Sequence, residues 1–417
     1  MKFRRHTLDN GLEVIAECND ESHTQAVAFF VCTGARDEED GNAGVSHFLE
    51  HMVFKGTPRR SADDVNREFD EMGAHYNAFT SDEHTVYYAA VLPEKQEAAV
   101  DLLADILRPS LRQEDFDMEK KVILEEIAMY LDQPPFGADD YLKALHFGRH
   151  PLGRSVLGTT RSISDLSSDQ MRTYFERQYA PSNLFVAAAG RVDFDALVRQ
   201  VEQRCGGWRG AAADRLRTEP PAAGRFAALY RESSAQQYVL QVARAPEATS
   251  DDRFAAKLLA TMLGDDSGSR MYWELVDPGI AEHASLGHYE YDGAGVFYSW
   301  ASGEPDQAEE ILSRLDAIYQ ASDSRDLTEE ELQQAKSKVR ARVVLGSEKS
   351  RNRLFVLGGN WAQRREYRHV ADDLASVDAV TLADVHRVAQ TYPLSDMTTV
   401  TVGPLREVRG QGCETAK

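Results

Sequence analysis

The spacing of apolar positions changes along the chain from the period of a strand to the period of a helix. Residues 7–16 predict a β-hairpin that turns at Asn10 and Gly11, because Asn-Gly suits tight two-residue turns. Residues 25–32 form an apolar, β-rich run, and residues 74–91, rich in Tyr, Thr, Val and Phe, predict a further pair of strands. The amino-terminal part of the chain is therefore expected to build a sheet.

Between and after these strands, apolar residues recur every three to four positions, as one face of a helix requires. This period predicts helices over residues 44–54, 62–72 and 94–107. A longer helical pattern begins after Gln113 and ends near Leu131, because prolines follow at 134 and 135 and proline cannot continue a helix.

One pattern occurs twice along the chain. Residues 162–171 and 376–385 each combine a start rich in small and polar residues with a helix, and each leads through a tyrosine into a strand that ends in glycine. The two copies begin 214 residues apart (162 and 376), which is about half of the 417-residue chain. A tandem duplication leaves such an offset, so we predict two homologous domains.

Small residues, glycine and proline separate the two copies, as in a linker. We predict a first domain over residues 1–210, a linker over 211–224 and a second domain over 225–417. The alternation of strands and helices in each half predicts an α+β or α/β two-layer sandwich, in which a mixed sheet is covered by helices. The length agrees, because it is about twice what one hydrophobic core usually fills.

Acidic residues dominate the charge: 47 Lys and Arg against 68 Asp and Glu give a net charge of −21 at pH 7. Such a surface repels nucleic acid and anionic lipid, so we expect no nucleic-acid and no membrane partner. The sequence shows neither a signal peptide nor a transmembrane stretch, which predicts a cytoplasmic protein. The cysteines have no metal-binding spacing and are expected to be reduced thiols; they are Cys18, Cys32, Cys205 and Cys413.

The sharpest chemical signal is the pentapeptide His47-Phe-Leu-Glu50-His51, which falls within a predicted helix. Residues four apart share one helical face, so both imidazoles can reach one ion, with Glu50 beside them as a candidate base. The order H-x-x-E-H occurs in zinc peptidases. The alternative is a solvated polar edge of an amphipathic helix, and a third ligand would decide between the two.

A carboxylate ligand is expected from another helix, and residues 119–126 offer three candidates. Glu119 and Glu126 are seven residues apart and share a face, whereas Glu125 is rotated by about 100° from Glu126. At most one of the two neighbours can therefore point at the ion. Taken alone, the segment is equally compatible with solvated charges.

The sequence resembles the catalytic half of the pitrilysin-type zinc peptidases. The resemblance rests on four segments, which are residues 34–38 (Gly-Ala-Arg-Asp-Glu), 44–57 with the pentapeptide, 77–87 beginning Asn-Ala-Phe-Thr-Ser, and 119–126. The family places its third ligand about 75 residues beyond the second histidine and another glutamate seven residues earlier, as Glu126 and Glu119 are placed here. The short two-domain subfamily, which includes the mitochondrial processing peptidase β subunit and bacterial processing-protease-like proteins, is the most similar.

The resemblance implies one Zn²⁺ per chain, bound by His47, His51 and Glu126. It implies Glu50 as the general base that activates the zinc-bound water, and Glu119 as a supporting carboxylate that contacts a ligand. Glu119 has a simpler alternative as a surface charge.

Residues 76–81 alternate as an edge strand does, and such an edge can bind an extended peptide through main-chain hydrogen bonds. The family uses the corresponding strand in this way, so the resemblance implies Asn77, Ala78 and Phe79 as substrate contacts. The alternative is an ordinary strand with Phe79 in the core.

The second half departs from the family at one place. Many members carry an Arg and a Tyr, seven residues apart, that reach the substrate carbonyl; here Val276 and Glu282 align near those places, with one residue missing. Arg270, Tyr289 or Tyr291 is a candidate substitute, or a partner subunit supplies the pair. Arg270 has the alternative of a helix-packing role.

Short members of the family pair two chains around a closed chamber. The resemblance therefore implies a zinc-dependent endopeptidase for peptides or unfolded polypeptide segments, acting as a homodimer or as a heterodimer with a sister subunit. A catalytic subunit that is active only with its sister chain, and a non-hydrolytic peptide-binding scaffold, are the alternatives.

Overall fold

The computed structural model describes residues 1–133, 135–210, 215, 217, 224–412 and 414–415. The chain forms two compact units, the first from residues 1–127, 154–216 and 345–368, the second from 128–153, 217–344 and 369–417. The main crossing of the chain from the first unit to the second falls inside the predicted 211–224 linker. Most of this linker lies outside the described residues. The units also exchange two segments, 128–153 and 345–368, which domain limits drawn along the sequence at 210 and 225 do not include.

The first unit contains a six-stranded mixed sheet. Its strands are β1 (Lys2–Thr7), β2 (Glu13–Cys18), β3 (Gln25–Val31), β4 (His75–Thr80), β5 (Thr85–Val91) and β6 (Leu184–Gly190). Their order across the sheet is β1-β2-β6-β3-β5-β4, so β4 lies at an edge. Strands β1 and β2 pair antiparallel from Lys2 with Cys18 to Thr7 with Glu13, which confirms the hairpin at Asn10 and Gly11. The predicted strand pair within 74–91 is also present as β4 and β5.

Four helices of the first unit match the predicted periods. They are α1 (Val45–Val53), α2 (Ala62–Glu71), α3 (Gln96–Ile106) and α4 (Gln113–Asp132, which continues into the second unit). The first unit also contains α6 (Thr160–Asp165), α7 (Ser168–Gln178), α8 (Phe194–Cys205) and α12 (Ser350–Arg364), whereas α5 (Phe136–Phe147) belongs to the second unit. Helix α4 ends at Asp132, two residues before the first of the two prolines that were expected to stop it.

The second unit repeats the sheet of the first. Its strands are β7 (Phe226–Tyr230), β8 (Gln237–Arg244), β9 (His283–Tyr291), β10 (Ala294–Gly303), β11 (Thr398–Gly403) and β14 (Glu414–Thr415), with β12 (Glu407–Val408) and β13 (Gln411–Gly412) forming a separate short ribbon. The order β7-β11-β8-β10-β9 reproduces the order β2-β6-β3-β5-β4 of the first sheet. The remaining edge strands differ, because β14 pairs parallel to β7 whereas β1 pairs antiparallel to β2. Strand β2 runs parallel to β6, and β7 runs parallel to β11, as a duplicated topology requires.

Helices also recur in the second unit. Besides α5 they are α9 (Arg253–Gly264), α10 (Ala308–Asp323), α11 (Glu329–Ser347, whose last residues belong to the first unit), α13 (Val370–Ala379) and α14 (Leu382–Thr391). The repeated sequence pattern corresponds to two helix pairs, α6 with α7 and α13 with α14. In both pairs the second helix begins with a capping box, at Ser167 and at Thr381, whose hydroxyls accept backbone N–H bonds.

The exchanged segment 345–368 explains why the inner strand β3 of the first sheet is buried on both faces. Ala26, Ala28 and Phe30 of β3 pack on Leu354 and Leu357 of α12. The alternate residues of β3 are also buried, and α3 packs against this strand. Gly358 allows the close approach, because a Cβ there would lie 2.0 Å from the Phe30 ring. The predicted mixed sheets covered by helices are confirmed, and α12 adds a layer.

A buried ion pair fixes α12 on this sheet. Arg353 Nε donates to Glu17 Oε1 at 2.9 Å, its Nη2 reaches the second oxygen, and Tyr367 Oη donates to Glu17 Oε2 at 2.9 Å. Both charged side chains are at most 4% exposed. Their mutual bonds replace the water that each charge loses on burial.

Two further expectations concern the chain as a whole. No helix among the described residues is both long enough and apolar enough to cross a lipid bilayer. Cys18, Cys32 and Cys205 carry free thiols, as expected, and Cys413 lies outside the described residues.

Candidate metal centre

Helix α1 presents the pentapeptide because its apolar residues bury the opposite face. Val45, Phe48, Leu49 and Met52 are at most 1% exposed. The helix starts at Gly44, whose φ of 90° is left-handed, and a Cβ at this position would lie 2.5 Å from the carbonyl oxygen of Leu157. Glycine therefore permits both the turn and the close contact that begin this helix.

A buried carboxylate caps the start of α1. Glu38 Oε2 accepts the Gly44 N–H at 2.7 Å, and Oε1 accepts the Ser46 N–H at 2.8 Å. The Ser46 hydroxyl is 2.7 Å from the hydroxyl of Tyr174, which also bonds to Thr33 at 2.9 Å. Burial raises the pKa of Glu38 to about 8, against the opposing effect of the N–H bonds. Sequence reasoning did not assign Glu38 a role, because this residue lies seven positions before Val45, the first residue of α1.

Helix α4 brings the third donor. Its buried side carries Phe116, Glu119, Ile123 and Ile127, and the Phe116 ring stacks on Phe48 of α1 with 4.8 Å between centroids. This contact fixes α4 beside the metal-binding helix. The period of the helix then turns Glu126 toward the histidines, whereas Glu125 is exposed.

The donor atoms of His47, His51 and Glu126 lie within 4.8 Å of one another, and this is the one such group among the described residues. His47 Nε2 is 3.8 Å from Glu126 Oε1, and His51 Nε2 is 3.7 Å from Glu126 Oε2. These separations exceed a hydrogen bond but approach the roughly 3.3 Å between donors on a tetrahedral ion with bonds near 2.0–2.1 Å. Two imidazoles and one carboxylate therefore fit zinc, which is commonly held by three such ligands in catalytic sites.

Glu119 orients one of these ligands. Its Oε1 accepts from His51 Nδ1 at 2.8 Å, which leaves His51 Nε2 facing Glu126, and its Oε2 bonds to Lys55 Nζ at 2.6 Å. Glu119 is 3% exposed, so the alternative of a surface charge does not describe its position. Sequence reasoning missed Lys55, although it stands one helical turn after His51.

The base candidate contacts the edge strand. Thr80 Oγ1 of β4 donates to Glu50 Oε2 at 2.6 Å. Burial raises the pKa of Glu50, and the Thr80 hydrogen bond opposes this effect. Sequence reasoning did not single out Thr80 as a contact of the base.

Burial and neighbouring charges shift the pKa values of the two histidines in opposite directions. Burial, and then the charge of His51, lower the pKa of His47 to about 4, so its imidazole keeps a free lone pair at neutral pH. Burial also lowers the pKa of His51, but the bond to Glu119 and the nearby carboxylates outweigh it and the net pKa is raised. Burial raises the pKa of Glu119, but the His51 and Lys55 bonds outweigh it, so the net pKa is lowered.

Strand β4 places the three predicted substrate contacts on different faces. Ala78 is buried and shares the face of Thr80, whereas Asn77 and Phe79 are exposed and point to the opposite face. Asn77 Oδ1 accepts the Ala78 N–H at 2.9 Å. Phe79 is 41% exposed, so it lies outside the core.

Val276 and Glu282, which align near the places where many family members carry an Arg and a Tyr, lie in the second unit. Val276 ends a short π-helical segment over Tyr272–Val276. Glu282 is exposed and accepts from Gln236 Nε2. Arg270 Nε is 2.6 Å from Glu331 Oε1, which supports the packing role.

The duplicated sheets and the His-His-Glu group define the class of pitrilysin-type peptidases. Two family models match in succession, Insulinase (Peptidase family M16) over residues 13–160 and Peptidase M16 inactive domain over 165–339. The chain belongs to peptidase family M16, and the resemblance is confirmed.

Relatives agree with this assignment, and a solved structure shares the fold. A protein named as an uncharacterized zinc protease in Mycobacterium tuberculosis is 35% identical over 394 residues, which cover 93% of this chain and 90% of the relative. One of the same name in Streptomyces coelicolor is 33% identical, covering 97% and 90%. The crystal structure of a protease from Helicobacter pylori has a TM-score of 0.90 at 22% identity, covering 97% of this chain and all of that one.

Proposed function

We propose that this chain is a zinc-dependent endopeptidase that cleaves peptides or unfolded polypeptide segments. The observation that carries the proposal is the convergence of His47, His51 and Glu126 beside Glu50, which is itself bonded to the edge strand through Thr80. This arrangement places a general base next to a site for one ion and next to a strand edge that can bind an extended peptide.

Zinc, when bound, supplies a Lewis acid that lowers the pKa of water and polarises a peptide carbonyl. His47, His51 and Glu126 would hold it, and Glu119 holds His51 in the tautomer that presents Nε2. Glu50 takes a proton from the attacking water and delivers it to the leaving amine as the peptide bond breaks. Thr80 keeps one oxygen of the Glu50 carboxylate in a fixed orientation.

Strand β4 supplies the peptide-binding edge. Among the described strands it pairs with β5 alone, so one side of its backbone is open to an added strand. Main-chain bonds of this kind hold a peptide with little demand on its sequence. We place Asn77, Ala78 and Phe79 in contact with that peptide.

A partner subunit completes the proposal. Arg270 is paired with Glu331, and Val276 and Glu282 stand where many relatives carry Arg and Tyr. We propose that the chain acts as a homodimer, or as a heterodimer in which a sister chain supplies this pair. The cytoplasmic location stays a prediction.

The experiment compares purified wild type with Glu50→Gln. Zinc content is measured by mass spectrometry of the metal, and cleavage of an unfolded protein is mapped from the product masses. We expect about one zinc per chain in both proteins and cleavage in wild type alone. Zinc without cleavage would direct the test to mixtures with a sister chain, and unchanged activity in such mixtures would remove the heterodimer.

A matched pair of variants tests the ligand assignment. Glu126→Gln should lose most of the bound zinc, whereas Glu125→Gln changes the adjacent exposed carboxylate and should keep it. Equal zinc content in the two variants would contradict the assignment of Glu126. Absence of zinc from wild type after exposure to excess metal would overturn the proposed function.

A further inference from the structure

The pleat of β4 gives its two faces different neighbours. Thr80 faces the metal-binding helix through its bond to Glu50. His75, Asn77 and Phe79 alternate with this face and point to the other side of the sheet, where α12 packs. The Phe79 ring lies 5.7 Å from the Phe355 ring, in an edge-to-face arrangement. A helix from the carboxyl-terminal half of the chain therefore stands beside the edge at which a peptide would be added.

The surface between β4 and α12 is apolar and only partly buried. Phe355 also meets the Tyr88 ring at 5.0 Å, which holds it in place. Phe79 and Val356 are each 41% exposed. Gly359 lies one turn after Phe355, and a Cβ there would have no heavy atom within 4 Å, so the space beside the helix is open.

The same face becomes polar farther along the strand. Arg351 Nη1 is 3.3 Å from His75 Nε2, four residues before Phe79 on β4. Apolar character is thus restricted to the end of β4 that is nearest to Thr80 and Glu50. A side chain bound there belongs to a peptide residue close to the cleaved bond.

We propose that Phe79 and Phe355 form a subsite that selects an apolar side chain of the bound peptide, aromatic or branched aliphatic. A strand added to β4 must alternate with the same pleat, so its residue opposite Phe79 points toward α12, with Cβ atoms about 4.5–5.5 Å apart. Its neighbours point toward the metal-binding helix. The inference rests on the proposed function and adds a specificity determinant from α12.

The prediction is tested by binding, in the zinc-loaded Glu50→Gln protein. Fluorescein-labelled peptides of about ten residues, long enough to pair along all of β4, carry one Phe at each position in turn on an Ala-Ser background. Fluorescence anisotropy gives Kd. We expect one position at which Phe binds roughly tenfold more tightly than Ala, the scale at which apolar pockets discriminate.

Two variants then remove the subsite in different ways. Phe355→Ala deletes one wall, and Gly359→Leu fills the open space without loss of a core contact. Each should reduce the Phe preference to within about twofold. Leu92→Ala, at an exposed apolar residue elsewhere in the first unit, is the control and should keep the preference. Zinc content and thermal unfolding confirm that each variant is folded.

The outcomes separate the subsite from the proposed function. Peptides that bind with the same Phe preference in Phe355→Ala and Gly359→Leu would overturn the subsite and leave the peptidase proposal intact. In the zinc-loaded Glu50→Gln protein, an equal affinity for Phe at every position of the peptide would also overturn the subsite. Failure of every peptide to bind the zinc-loaded protein would overturn the subsite together with peptide binding at β4.

Discussion

The hydrogen bond from Thr80 to Glu50 offers a sharp test of how the site is built. The two side chains belong to different elements, β4 and α1, and their oxygens are 2.6 Å apart. Thr80→Val keeps the β-branched shape and removes only the donor. Thr80→Ser keeps the donor and removes a methyl group, so it is the matched control.

The expected magnitude follows from the chemistry of the bond. A hydrogen bond to a charged group contributes about 1.5–3 kcal/mol. Each 1.36 kcal/mol lost from the transition state lowers the rate about tenfold, so Thr80→Val should lower kcat by roughly 10- to 100-fold. The ligands are untouched, so zinc content should stay at the wild-type value. Because the substrate edge is also unchanged, KM should move by less than about threefold.

The assay is steady-state cleavage of a quenched fluorescent peptide, alongside the metal content of each variant. Wild-type kcat in Thr80→Val would refute the reasoning. Equal losses in the Val and Ser variants would show that packing, rather than the donated hydrogen bond, is responsible.

Three further predictions concern metal affinity and stability. Glu119→Gln should weaken zinc binding by roughly 10- to 100-fold in a chelator competition, with Glu125→Gln unchanged. Arg353→Ala should lower the free energy of unfolding in urea by about 3–5 kcal/mol, because it strands the buried Glu17 carboxylate, and a loss below about 1 kcal/mol would contradict this. Burial lowers the pKa of His146 to about 4, so its stabilising effect is complete above about pH 6.5. Between pH 6.5 and 4, wild type should lose up to about 3 kcal/mol more of its free energy of unfolding than His146→Phe loses, as chemical denaturation would show.

Local patterns in the sequence predicted most of the elements around the site. The 3.6-residue period of α1 and α4 follows from short-range packing, so the shared faces of His47 with His51 and of Glu119 with Glu126 could be predicted. Strand β4 could be predicted from its alternation and from the hairpin that it forms with β5. These features depend on residues that are close to one another in the sequence.

Contacts between distant segments could not be predicted in this way. Arg353 and Glu17 are 336 residues apart, and nothing in the period of α12 indicates which sheet it covers. The side chain of Glu38 caps α1 from outside the helix, so no helical pattern includes it. Alternation placed Thr80 on the face of Ala78, but only the packing of β4 against α1 shows that this face meets Glu50.

The most direct measurement is the crystal structure of the zinc-loaded Glu50→Gln protein, with an anomalous difference map recorded above and below the zinc edge. The account predicts one strong peak per chain, about 2.0–2.2 Å from Nε2 of His47, Nε2 of His51 and a carboxylate oxygen of Glu126. A peak at another position, or full zinc loading with no peak among these three residues, would contradict the central claim.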